Sequence, residues 1–158
     1  MGKGKELRDL TGGRWPGNPT LKEMYNILVN AKTIAMVGAS SNPERPSYEV
    51  MQVLQKAGYH VIPVNPNETE VLGEKAYASL SDIPEPVDIV DVFRRAESTP
   101  PVAEEAVKIG AKVLWLQLGI INEEAAEIAQ HGGLQVVMDR CIKVMHRKLN
   151  VPDKIGLA

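Results

Sequence analysis

The chain has 158 residues, enough for one domain with a substantial core and short for two. Its formal net charge of −2 gives no overall electrostatic drive toward nucleic acid or an anionic membrane, so any anion site must be built from a few well-placed groups. A single cysteine, Cys141, excludes an intramolecular disulfide framework and a cysteine-based zinc cluster, and points to a reducing, cytoplasmic setting.

Residues 1–19, rich in glycine and charge with Pro16 and Pro19 near the end, predict an extended N-terminal arm in which Trp15 is suited to docking on the body. No run has the length of a signal peptide or a membrane span, so no membrane partner is expected. Thr20 is placed to N-cap a helix carrying Leu21, Met24, Ile27 and Leu28 on one face. Then follow a buried strand, TIAMV, over 33–38, the loop GASSNPERP, a helix over 47–57, and a strand over 60–65 that ends VIPVNP. Further strands are predicted over 88–93, 112–117 and 134–138, and helices over 100–109, 122–131 and 140–149. The stretches KAGYHV, KIGAKV and QHGGLQV each end a helix on glycine and open a strand, which calls for a left-handed Gly58, Gly110 and either Gly132 or Gly133. Residues 20–149 thus read as one domain and 150–158 as a C-terminal tail.

The strands are continuous apolar runs, as in IAMV, DIVDVF and VLWLQL, which suits parallel strands covered on both faces. The expected fold is α/β: a Rossmann-like, doubly wound, five-stranded parallel sheet in three α/β/α layers, with strand order 3-2-1-4-5. Such a sheet binds its ligand beyond the carboxyl ends of the strands. The segments concerned are 38–47, 65–67, 93–95, 118–120 and 139–141.

A strand feeding a glycine-containing loop that opens a helix places backbone N–H groups against phosphate. The loop after the first strand lacks the lysine and hydroxyl of a nucleoside-triphosphate loop, and departs from G-x-G-x-x-G. The second strand ends in Asn65-Pro66-Asn67 where a dinucleotide enzyme favours an acid for the ribose, so NAD is disfavoured. What remains is a polar loop in which Ser40, Ser41 and Asn42 can hydrogen-bond phosphate and Ser47 can cap the helix, although an ordinary turn uses the same residue types. Arg45 can reach a phosphate or stand solvated. Of Arg94 and Arg95, which follow the third strand, only one can point into the site, and the sequence leaves open which.

Five segments taken in order, VGASSNPERPSYEV, VIPVNPNETEVLGEKAYASLSDIP, VDIVDVFRRAE, LWLQLGI and MDRCIKVMH, resemble the CoA-binding domain family in its small single-domain form, related to the CoA-binding portion of the succinyl-CoA synthetase α chain. The resemblance runs over about residues 31–149. It implies a Rossmann-like fold with the CoA nucleotide lying across the strand ends. It also implies contacts from Gly38, Ala39, Ser40, Ser41, Asn65, Pro66, Phe93, Arg94, Arg95, Leu118 and Gly119. In the synthetase a phosphorylated histidine lies in a separate domain and a β chain activates the nucleotide, so acyl-CoA synthesis does not transfer with the fold. The implied function is that of a stand-alone binder of coenzyme A or an acyl-CoA, without catalysis of its own. Self-association into a homo-oligomer is left open.

Nothing in the sequence assembles a catalytic triad. His60 and His131 sit at element ends as surface or capping residues, and His146 has no carboxylate placed to orient it. Asp88, Asp91 and Asp139 are expected to be partly buried, Asp139 as the cap of the last helix. Cys141, read into the first turn of that helix, is either a plain small core residue or a partner for a mixed disulfide with the thiol of bound CoA. Two other functions stand against CoA binding. One is an NAD(P)-dependent oxidoreductase or transferase subunit with a Rossmann-type dinucleotide site. The other is a scaffold with a vestigial pocket that uses Trp15 and Trp115 at a subunit interface.

Overall fold

The computed structural model describes residues 17–154. Of the arm expected over residues 1–19, residues 1–16, Trp15 among them, lie outside the described residues. The chain runs α1 (Leu21–Asn30), β1 (Thr33–Val37), α2 (Pro46–Lys56), β2 (His60–Val64), β3 (Glu70–Val71), β4 (Glu74–Lys75), β5 (Ile89–Val92), α3 (Thr99–Lys108), β6 (Val113–Leu116), α4 (Glu123–His131), β7 (Gln135–Val137) and α5 (Ile142–Lys148). Single 3₁₀ turns at Leu80–Asp82 and Ala96–Ser98 precede β5 and α3. No described helix is long and apolar enough to cross a membrane.

Five strands form one parallel sheet, and helices cover both faces. Alternation along the strands sorts the core into two halves. Ile34, Met36, Ile89, Trp115 and Val137 face α1, α2 and α5, which contribute Met24, Leu28, Met51, Leu54, Ile142 and Met145. Ala35, Val37, Val90, Val92, Leu114 and Leu116 face α3 and α4, whose small residues Ala103, Ala106, Ala125 and Ala129 let those helices lie close to the sheet. The three-layer α/β/α architecture is therefore present.

The strand order differs from the expected one. The sheet reads β2-β1-β5-β6-β7, so its third sequential strand pairs with β1 and leaves β2 at an edge. Pro63 carries the physical reason. Its carbonyl points away from β1 and accepts from the Tyr77 N–H at 3.0 Å, so its ring nitrogen, on the same side, has no hydrogen to offer a further strand. An order of 3-2-1-4-5 would have required a ladder there. No α-helix occurs between β2 and β5; the connection instead folds as the hairpin β3–β4, which sequence patterning did not foresee.

The helix-to-strand returns are left-handed at Gly58, Gly110 and Gly133 with φ of 100°, 76° and 91°, which settles the choice between Gly132 and Gly133. At the amino end, Thr20 and Glu23 form a reciprocal capping box on α1. Just before it, the Asn18 side chain bonds the Met138 backbone in both senses, at 2.8 Å to the carbonyl and 2.7 Å from the N–H. The carboxyl segment returns to the body: Val151 is buried and the Lys154 side chain donates to the Val29 carbonyl at 2.7 Å.

Candidate functional site

At the carboxyl ends of β1, β5 and β6 a cleft of about 770 Å³ opens between the first turns of α2 and α5. Its floor is made by Gly38, Phe93 and Gln117, where the three strands end. Gly38 has φ +89°, and a Cβ there would press into the Phe93 carbonyl oxygen, so only glycine lets the first loop cross this close to the end of β5. One wall carries Ser40, Arg45, Pro46, Ser47, Glu49 and Val50; the other carries Leu118, Ile120, Cys141, Lys143 and Val144, with Arg94 and Asn65 at the ends of β5 and β2.

The first wall is the start of α2. Arg45 stands at the N-cap, makes no side-chain cap bond, and is followed by Pro46 in the first turn. The expectation that Ser47 caps this helix is corrected: the helix starts one residue earlier, and Ser47 lies inside its first turn, 3% exposed and lining the cleft. The start of α2 therefore has no side-chain cap; Pro46 has no N–H, the Tyr48 N–H turns back to the Arg45 carbonyl at 3.0 Å, and the positive end of the helix dipole faces the cleft.

Other residues singled out in the sequence hold the cleft in shape, some of them from outside its lining. The Asn65 amide donates to the Ala39 carbonyl at 2.8 Å while its oxygen accepts from Asn67 N–H at 2.9 Å, tying the first loop to the end of β2. Ala39 is fully buried. Ser41 gives its N–H and hydroxyl to Glu68 at 2.9 and 3.1 Å, and Asn42 accepts from Glu44 N–H at 3.0 Å, so both build the turn. Pro66 is exposed outside the cleft. Gly119 donates its N–H to Asp139 Oδ1 at 2.7 Å. This corrects the reading of Asp139 as a helix cap: it sits at φ +62° and fixes the loop that carries Leu118. Cys141 takes the N-cap place of α5 rather than its first turn, half-buried on the cleft wall, and Gln117 Oε1 accepts from the Ile142 N–H at 3.1 Å.

The arginine pair divides. Arg94 is half-buried and lines the cleft, whereas Arg95 is exposed and outside it. Arg45 and Arg94 make no ion pair with any described residue. Lys143 was missed in the sequence as a site residue; its Nζ lies 3.3 Å from Glu49 Oε2 across the cleft. Two uncommitted guanidinium groups, serine hydroxyls and an uncapped helix end are donors suited to phosphate, and the apolar flank of Phe93, Val50, Leu118, Ile120 and Val144 suits a thin, less polar chain. Neither His60, paired with Glu74 and Glu85 on the opposite end of the sheet, nor His146, packed edge-on against Tyr59, reaches this cleft. No cluster of metal-ligating side chains occurs among the described residues.

Residues 32–147 match the model of the CoA binding domain. The chain belongs to the CoA-binding domain family. A member that it resembles over most of both lengths is the uncharacterised protein YneT of Bacillus subtilis, 50% identical over 129 residues, 82% of this chain and 96% of that one. It is also 30% identical over 139 residues to the α subunit of ADP-forming acetate–CoA ligase II of Pyrococcus furiosus, covering 81% of this chain but only 30% of the ligase subunit. Among solved structures, a hypothetical protein of Pyrococcus horikoshii superposes with a TM-score of 0.83 at 41% identity, over 90% of this chain and 96% of that one. The CoA-binding family thus includes both proteins of about this chain's span and much longer ligase subunits.

Proposed function

We propose that this chain binds coenzyme A, free or acylated, in the cleft at the strand ends, as a binding protein rather than a catalyst. The observation that carries this reading is a cleft with two unpaired arginines and an uncapped helix end in a member of the CoA-binding domain family. The donor set fits the ligand: Ser40, Ser47, Arg45 and Arg94 hold phosphate, and the pantetheine chain runs along Phe93 and Leu118 toward Cys141. Ala39, Ser41, Asn42, Asn65, Pro66 and Gly119 contribute through the shape of the loops. Ligation of an acid to CoA stays outside the proposal, because the chain spans 30% of the ligase subunit it resembles.

Calorimetric titration with CoA, 3′-dephospho-CoA, NAD and NADP tests the reading. CoA is expected to bind while NAD and NADP do not. Arg94→Ala should weaken CoA about tenfold, the loss of one charge-assisted hydrogen bond, and Arg95→Ala should leave it unchanged. A preference for either dinucleotide would replace this function with that of an NAD(P)-dependent oxidoreductase or transferase subunit.

A further inference from the structure

We infer that Lys143 is an anion-binding residue of the cleft and that Glu49 occupies it only until the ligand's phosphate arrives. The inference rests on the CoA-binding reading above and adds a residue and an exchange to it. Lys143 projects from α5 into the cleft with a side chain only 19% exposed, while Glu49, its partner at 3.3 Å, is 69% exposed on the first turns of α2. An ion pair with one largely solvated partner holds weakly, so Glu49 can turn to water at small cost. The lysine lacks that freedom, because its stem is enclosed and its Nζ is committed to the cleft.

The surroundings favour a phosphate over the carboxylate. Lys143 reaches Glu49 beside the start of α2, which no side chain caps, with Arg45 at its N-cap. A phosphate there meets a lysine, an arginine and a helix dipole together, whereas Glu49 brings Lys143 a single charge. Glu49 thereby acts as a competitor built into the site. It neutralises Lys143 while the cleft is empty, leaves Arg45 and Arg94 uncommitted, and raises the affinity threshold for weakly charged ligands.

Titration of CoA into the wild-type chain, Glu49→Gln, Lys143→Met and the double variant tests the exchange. Glu49→Gln should bind CoA about threefold more tightly and Lys143→Met about tenfold more weakly. The double variant should bind as Lys143→Met does, because Glu49 competes only through Lys143. A general charge effect of Glu49 predicts instead that the tightening survives in the double variant, and that result overturns the inference. So does CoA binding that Lys143→Met leaves intact in a folded protein, checked by its thermal melt. Repeating the series with 3′-dephospho-CoA locates the phosphate: an effect of Lys143→Met that persists assigns the pyrophosphate, and one that vanishes assigns the 3′-phosphate. Failure of the wild-type chain to bind CoA at all refutes the CoA-binding reading itself, a result distinct from normal binding with inert variants.

Discussion

Position 38 has no room for a methyl group. An alanine there would combine a φ of +89° with a Cβ thrust into the Phe93 carbonyl, so the first loop and the end of β5 would have to separate. Left-handed strain and the displaced backbone together put the cost of Gly38→Ala at about 2–4 kcal/mol, measurable by urea denaturation. Arg94 adjoins Phe93, so CoA affinity should fall in the same variant; full stability with full affinity would show that the two loops do not depend on each other. Asp91 presents a different constraint. It lies in β5 between Met36 and Trp115, fully buried, with neither carboxylate oxygen hydrogen-bonded, and burial raises its pKa well above the ordinary 3.8. The folded chain then keeps a proton that the unfolded chain releases above about pH 4, and within that window stability falls by about 1.4 kcal/mol per pH unit as pH rises. Asp91→Asn cannot ionise. Its stability should match the wild type near pH 3.5 and exceed it increasingly toward pH 8; equal pH profiles would mean that Asp91 is charged in the fold.

At the scale of elements, legibility in the sequence follows how local the stabilising interaction is. The α1 start could be read because Thr20 and Glu23 cap one another three residues apart, and the helix-to-strand returns because a single glycine carries each one. The start of α5 could not. Its first N–H is held by Gln117, 25 residues upstream, and Asp139, which has the composition of a cap, turns to Gly119 instead. The hairpin β3–β4 escaped because its two-residue turn is Leu72-Gly73, with φ of 51° and 83°, where the recognisable signal is asparagine or aspartate before glycine. Leu72 is held in that conformation by packing on the core and by the Gln55 amide at its carbonyl. The strand order was legible in Pro63, a residue suited only to an edge, but apolar patterning alone does not order strands. Likewise Arg94 could be found as a cation following an apolar strand. Lys143 and Glu49 meet only because α2 and α5 converge over the sheet, and no spacing records that.

Parallel strands give the molecule two unlike ends, each with a cavity. The amino-end cavity, about 520 Å³, is lined by Glu23, Asp88 and Lys112, but its charges are consumed locally. Burial would raise the Asp88 pKa, yet the N–H groups of Thr33 and Lys32 at 3.0 and 2.8 Å, with Lys112 nearby, hold it below the ordinary value. At the carboxyl end Arg45 and Arg94 have no such partners among the described residues, so a polyanion gains there what it cannot gain at the other end. Ligand that binds only the folded chain stabilises it by about 2.7 kcal/mol at one hundred times its Kd. For a domain of this size that corresponds to a rise in Tm of about 6–10 °C. CoA should produce this rise and NAD should not. Lys112→Ala, which alters only the amino end, should shift with CoA as far as the wild type does, whereas Arg94→Ala should need about ten times more CoA for the same shift. A CoA shift lost in Lys112→Ala and kept in Arg94→Ala would place the ligand at the wrong end of the sheet for this family of clefts, and the unpaired arginines would then need another explanation.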